Sequence, residues 1–401
     1  MYPSGSKLAD PIDSVMRLAD RLAGVPKTLV PLHGAAGLVL AEDVLADRDH
    51  PPMDMSAVDG YALRLEQAAV GRKPIRGESR IGNAPPEMPG DGVVKIATGA
   101  PVPEEAQAVV RREEVQEHSG FIEITELLAL KPDQDIRRRG TNIKAGERVL
   151  TRGVSLGPSR MSALASMGVA QVPVHRPVRV AMIVTGDELV GIDRTPQPWQ
   201  IRESHTCAVQ CALGAARWID LLRVTVVRDD LSLIANAVAA AVECDVVLLT
   251  GGVSMGDRDF VPDVVRQAGG EIIFHGLALR PGRPTLGAIG PNGQAIFGLP
   301  GNPLSVLVTV RRLVAIALRK LAGMSEIDPP APRVALNGTV KCHPMYRLFP
   351  PAVLTSDGSA RVVEANNSGD LIAAAQTDGF VEIPPGDSAP SSVSFHPWAL
   401  T

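Results

Sequence analysis

The sequence predicts a multidomain α/β plus β protein. Its parts are a three-layer α/β domain on a parallel sheet, an inserted β domain, a discontinuous helical and linker domain, and a C-terminal β domain. Three observations carry this. From Val178 to Leu321, short apolar runs alternate with helical segments at the spacing of right-handed βαβ crossovers. From His50 to Asn142, the chain is rich in Pro and Gly and broken into brief alternating runs, with helical pieces on either side. The Pro-rich linker Asp328-Pro329-Pro330-Ala331-Pro332 then precedes a last β-like region. The expected division is 1–49 with 143–174, then 50–142, 175–326 and 327–401.

In chain order, Asp10-Pro11 opens the first helix, with Asp suited to the N-cap and Pro to the first turn. Val15, Met16, Leu18, Ala19 and Leu22 form its apolar face, and Gly24 with Pro26 stops it. Leu29–Leu32 and Leu38–Leu40 follow as short strands. In the β-rich stretch the runs are Gly92–Ile96, Ala108–Val110 and Phe121–Ile124. A second helical piece runs from Gly157-Pro158 to Met167 and ends at Gly168. Next come strand Val178–Val184, helix Ser204–Ala216, strand Leu221–Val227, helix Leu231–Val242 and strand Val246–Leu249. Helix Phe260–Gln267, strand Ile296–Leu299 and a long apolar helix, Leu304–Leu321, complete the alternation. Beyond the linker, Ala360–Val363 and Phe380–Ile383 read as strands.

Composition narrows the function classes. A chain of 401 residues exceeds one ordinary domain. At 45% hydrophobic but only 3% aromatic, its cores are built from Val, Leu, Ala and Ile. A net charge of -4 lacks the basic footprint of a nucleic-acid binder. No apolar run approaches the ~20 residues of a membrane span, and the first residues hold no signal-peptide core. The cysteines at 207, 211, 244 and 342 include no CxxC pair, so reduced thiols are expected. The expected setting is the cytoplasm, without nucleic-acid or membrane partners.

The stretch Asp245–Asp259, DVVLLTGGVSMGDRD, carries most of the chemistry. A buried strand leads into Thr250-Gly251-Gly252, where the backbone can approach a ligand with no Cβ in the way. Strand, Gly-rich loop and helix present backbone N–H groups to an anion at the carboxyl edge of a parallel sheet. Asp257 and Asp259 add oxygen ligands for a hard cation such as Mg²⁺. Together they suit a phosphate-bearing substrate, although a Gly-Gly pair alone is better read as a tight turn with solvated aspartates. Acids after a strand are often helix caps, and two Arg around a Pro-Gly turn are as often paired with surface carboxylates.

Five segments weigh against those plainer readings when taken together: DMSAVDGYA (Asp54–Ala62), TGDEL (Thr185–Leu189), TGGVSMGDRDF (Thr250–Phe260), RPGRP (Arg280–Pro284) and GLPGNP (Gly298–Pro303). Their order and spacing resemble the molybdopterin molybdotransferase family, the molybdenum insertases of molybdenum-cofactor synthesis. The resemblance implies an elongated two-fold homodimer of four-domain subunits whose third domain is of the molybdopterin-binding type. It implies a Mg²⁺-dependent reaction in which adenylylated molybdopterin and molybdate are the substrates and AMP leaves.

By that resemblance, Thr185, Thr250, Gly251, Gly252 and Ser254 hold the phosphate and pterin. Asp259 and one of Asp229 or Asp230 bind Mg²⁺, with Glu188 a further acid. Arg280, Arg283, Pro284 and Ser305 form the molybdate site, which Arg347 and Ser368 complete. Asp59 and Thr98 reach the active site of the other subunit, so the site is shared across the dimer. A molybdopterin adenylyltransferase and molybdoenzymes are the implied partners.

The chain departs from the family pattern in four places. Both lysines of KPGKP are Arg280 and Arg283, which keep the charge but present a planar fork. The Asn of DNSAMDGYA is Met55. Asn142 stands where a carboxylate is usual. Pro350 and Pro351 interrupt the strand after Arg347. Two other functions compete. One is a scaffold paralogue that binds the pterin without turnover. The other is a different nucleotide-binding enzyme, against which the absence of GxGxxG and GxxxxGK[ST] counts.

Overall fold

The computed structural model describes residues 8–253, 260–338, 340–388 and 390–400. It divides into two compact units, one of 1–42, 152–161 and 170–401, the other of 43–151 and 162–169.

In the larger unit the main sheet has six strands. Their spatial order is Ile219–Val227, Val178–Thr185, Val246–Thr250, Ala295–Leu299, Leu286–Ile289 and Glu271–His275. The first four run parallel, as the alternation predicts. Leu286–Ile289 pairs antiparallel with the fourth, Glu271–His275 pairs antiparallel with it in turn, and the two extend one edge, an addition that the apolar runs did not disclose. Helices cover both faces, because alternate residues of each strand point to opposite sides. Val180, Met182, Val184, Val246, Leu248 and Phe297 pack with Val209, Leu213 and the long helix on one face. Ala181, Ile183, Val247, Leu249 and Ile296 pack with Ile234, Val238, Val261 and Val265 on the other. The five residues Val246–Thr250 are all buried, as a central strand requires.

The register positions the site. Thr185 pairs with Val227, Val184 with Thr250, and Thr250 with Leu299. Four strands therefore end level, and their loops line one edge of the sheet.

The long helix departs from expectation. It is α over Pro303–Thr309, π over Val310–Val314 and α again over Ala315–Leu321. Thr309 Oγ1 donates back to the carbonyls of Ser305 and Val306, at 2.7 and 3.2 Å, and so competes for acceptors in the turn where the pattern widens.

The same unit holds the helix Pro11–Ala19, capped by Asp10 as predicted. A three-stranded sheet follows in the order Lys27–Pro31, Gln171–His175, Val39–Leu40. After the Pro-rich linker comes a five-stranded antiparallel sheet, in the order Arg333–Ala335, Ser392–Pro397, Gly379–Glu382, Pro351–Leu354, Ala360–Val362. The short strand Arg347–Leu348 pairs in parallel with Leu279–Arg280 and so brings the C-terminal region against the Arg turn.

The smaller unit is a six-stranded sheet with an apolar cluster on each side. Its central strand Gly60–Leu63 starts where a Cβ on Gly60 would lie 1.9 Å from the Val110 carbonyl oxygen, so only glycine fits at that point of the Asp54–Ala62 motif. Among the described residues, no helix is long and apolar enough to cross a membrane.

Candidate functional site

Two cavities open at the carboxyl edge of the main sheet. The smaller, about 280 Å³, is walled by the four strand-end loops. Thr185, Gly186 and Glu188 come from the first, Asp229 from the second, Gly251 and Gly252 from the third, and Pro300, Gly301 and Asn302 from the fourth. The larger, about 1310 Å³, is walled by Arg280, Arg283, Ser305, Lys341, Asn366 and Ser368 among others. Pro284, Pro300 and Asn302 line both, so the two are adjoining chambers of one cleft.

The smaller chamber is built from backbone. Gly251 and Gly252 adopt φ of +95° and +59°. A Cβ on Gly251 would lie 2.6 Å from the Thr185 carbonyl oxygen and 2.8 Å from its hydroxyl, so the loop closes only on glycine. The Thr185 hydroxyl is buried and has no hydrogen-bond partner among the described residues, which leaves it for a ligand. Thr250 is placed differently from expectation. It is fully buried behind the wall, with its hydroxyl 3.1 Å from Nδ1 of His205, and it is His205 that faces the chamber.

The two neighbouring aspartates are placed differently. Asp230 caps the helix Leu231–Ala240, its Oδ1 accepting from the Leu233 amide at 2.9 Å, while Asp229 lines the chamber. Glu188 lines it as well. Two carboxylates on one wall are an oxygen donor set that fits a hard cation retaining part of its water shell. Among the described residues, no cluster of three or more His, Cys, Asp or Glu forms a ready metal site. Ser254, Asp257 and Asp259 lie outside the described residues.

The larger chamber is built from side chains. Arg280 places its guanidinium 4.3 Å from the ring centre of Tyr346, a stacking that fixes the fork's direction. Arg283 and Pro284 follow on the same turn. Ser305 is nearly buried at the chamber wall, and Ser368 faces it while its carbonyl accepts from the Leu304 amide. Arg347 does not join them. Its Nη1 donates to Glu382 at 2.7 Å and its Nη2 to Asp10 at 3.2 Å, it does not line the chamber, and its buried Nε has no hydrogen-bond partner among the described residues. The cause is the strand Arg347–Leu348, whose register turns the guanidinium toward the first helix and Glu382.

In the smaller unit, the Thr98 amide and hydroxyl both donate to Oδ1 of Asp59, at 2.7 and 2.9 Å. These two bonds, the amide foremost, hold the Asp59 carboxyl below its usual range. Asn142 Nδ2 lies 3.5 Å from His50 Nδ1.

Sequence reasoning missed His205, Asn302 and Lys341. Asn302 stood inside the GLPGNP motif without a role. His205 carried no local signal, because its partner Thr250 lies 45 positions away.

Comparison with known proteins agrees with this architecture. Residues 9–168 match the MoeA N-terminal region (domain I and II), and residues 181–320 match the probable molybdopterin binding domain. The chain is 36% identical over 304 residues to the molybdopterin molybdenumtransferase of Haemophilus influenzae, covering 75% of this chain and 74% of that one. It is 30% identical over 389 residues to the enzyme of the same name from Staphylococcus aureus strain Mu50, covering 93% and 91%. The crystal structure of the molybdopterin biosynthesis moeA protein from Pyrococcus horikoshii OT3 superposes with a TM-score of 0.82 at 28% identity, over 98% of this chain and all of that one. On these matches the chain belongs to the molybdopterin molybdenumtransferase family, transferases of molybdenum-cofactor biosynthesis.

Proposed function

We propose that this chain transfers molybdenum from molybdate to adenylylated molybdopterin, with Mg²⁺ bound and AMP released. The observation that carries the reading is the shared wall of Pro284, Pro300 and Asn302, which lets an oxyanion and a nucleotide-linked pterin lie side by side. In the smaller chamber the Gly251 and Gly252 backbone and the Thr185 hydroxyl hold the phosphate. In the larger, Arg280 and Arg283 supply charge and forked donors to the tetrahedral oxyanion, and Ser305 and Ser368 supply hydroxyls. Pro284 stiffens the turn between them. Asp229 and Glu188 would hold Mg²⁺, together with Asp259 of the TGGVSMGDRDF motif. Held there, Mg²⁺ would supply Lewis-acid charge beside the phosphoanhydride.

No side-chain nucleophile is needed, since the attacking atom belongs to the oxyanion or to the pterin's own sulfur. The active form is a homodimer of four-domain subunits in which Asp59 and Thr98 of one subunit complete the other's site. The resemblance of the Asp54–Ala62 motif supports this, as does the pair of bonds that fixes the Asp59 carboxylate toward Thr98.

AMP release from adenylylated molybdopterin by the purified chain tests the reading. Release is expected only when molybdate and Mg²⁺ are both present. Release that ignores molybdate, or binding without any release, sinks it.

A further inference from the structure

Thr309 is wholly enclosed and lines neither chamber, yet it touches two walls of the larger one from behind. On one side its Oγ1 donates to the Ser305 carbonyl at 2.7 Å and to the Val306 carbonyl at 3.2 Å. Ser305 lies one turn earlier in the helix Pro303–Thr309 and lines the larger chamber. On the other side its Cγ2 methyl meets Gly282, in the middle of the turn that carries Arg280 and Arg283. A Cβ on Gly282 would lie 2.7 Å from that methyl and 2.6 Å from Leu279 Cδ1. The φ of Gly282 is +112°, so backbone and neighbours both demand glycine.

Each contact constrains a group that the chamber uses. The Gly282 carbonyl accepts from the Thr285 hydroxyl at 2.6 Å and from the Thr285 amide at 3.1 Å, which closes the turn from within. The Thr309 methyl then backs the turn from outside, in a close-packed interior where a lost methyl is felt. At the helix, a threonine hydroxyl bonded back to the preceding turn competes with backbone amides for the same carbonyls. The Ser305 turn keeps its α geometry, and the widening to π falls beyond Thr309, over Val310–Val314. One side chain thus holds a hydroxyl donor with one end and a guanidinium-bearing turn with the other.

We propose that Thr309 is a positioning residue for the larger chamber. It sets the distance between Ser305 and the Arg280–Pro284 turn, and with it the size of the tetrahedral oxyanion that both can grip at once. This rests on the proposed oxyanion-binding role of that chamber. The smaller chamber stands apart from it, because neither Ser305 nor Gly282 lines that cavity.

Equilibrium binding of molybdate to the full chain tests this, with sulfate and AMP as companion probes. Thr309→Val keeps a methyl against Gly282 and removes the hydroxyl, whereas Thr309→Ser keeps the hydroxyl and removes the methyl. Each is expected to weaken molybdate binding by about tenfold, and Thr309→Ala, which removes both groups, by about a hundredfold. Slack between the walls lets them close on the smaller sulfate, so the preference for molybdate over sulfate falls in all three, while AMP affinity holds. Unchanged molybdate affinity in the three variants, or an equal loss of AMP affinity, overturns the proposal. Should Thr309→Ala not fold, the two single-group variants decide. If the unsubstituted chain binds molybdate but releases no AMP from adenylylated molybdopterin, the functional reading fails, and the affinities still judge Thr309. An unsubstituted chain that binds no molybdate overturns the proposal.

Discussion

Two groups of arginines in the larger unit make opposite use of the same side chain. Arg312 and Arg347 are enclosed by carboxylates. Arg312 reaches Glu382 at 2.7 Å and Asp328 at 2.9 Å, while Arg347 reaches Glu382 at 2.7 Å and Asp10 at 3.2 Å. Arg280, on the cleft wall, lies over Tyr346 and makes no ion pair among the described residues. The contrast teaches that a guanidinium's neighbours, not its presence in a motif, decide whether it braces the fold or meets a ligand.

Breaking the first group should give the largest effect. Glu382→Ala leaves Arg312 and Arg347 facing each other without their common carboxylate, and a loss of about 3–5 kcal/mol is expected in denaturant unfolding. A loss within ~1 kcal/mol would erase the distinction between the groups. Acid should act on the same point. Burial would raise the Glu382 carboxyl, but the bond from His396 with the charges of Arg312 and Arg347 brings it down to about 2. A depressed carboxyl contributes stability that is fully present above its unfolded value near 4.5 and is lost as pH falls through about 2. Burial also lowers the His396 imidazole, so its share is present above the unfolded value of 6.5 and begins to decline below it. Glu382→Gln should flatten the steep low-pH part of the stability curve and leave the shallow part near 6.5.

The second group should respond in activity instead. Arg280→Ala is expected to cut molybdate-dependent AMP release by about a hundredfold, with the unfolding midpoint held. Loss of the fold would place Arg280 with Arg312. The neighbouring aspartates repeat the comparison on a smaller scale. Asp230→Ala removes a helix cap and should cost ~1 kcal/mol of stability while turnover persists. Asp229→Asn should keep stability and raise the Mg²⁺ concentration needed for half-maximal turnover.

Much of this architecture was legible because strands and helices write their burial into local patterns. Val246–Thr250 declared itself as a central strand, and Asp10-Pro11 declared a helix start. Neither the π turn at Val310–Val314 nor the antiparallel strands at Glu271–His275 and Leu286–Ile289 has such a pattern. One follows from side-chain bonds of Thr309, and the others from which sheet edge was vacant. The motifs named the cleft's residues well where the backbone does the work, as at Gly251. They did not disclose the ion pairs of Arg347, whose partners Asp10 and Glu382 are 337 and 35 positions away. They were silent on His205 for the same reason of distance.

The partition formed by Pro284, Pro300 and Asn302 has a practical corollary. A compound that joins a tetrahedral anion to a nucleotide through a short linker could occupy both compartments at once. Its second contact would then form at the high effective concentration set by the linker, so two weak fragments would combine into one tight inhibitor. Replacing the bulk of Pro300 on that shared wall should weaken the joined compound far more than either fragment alone.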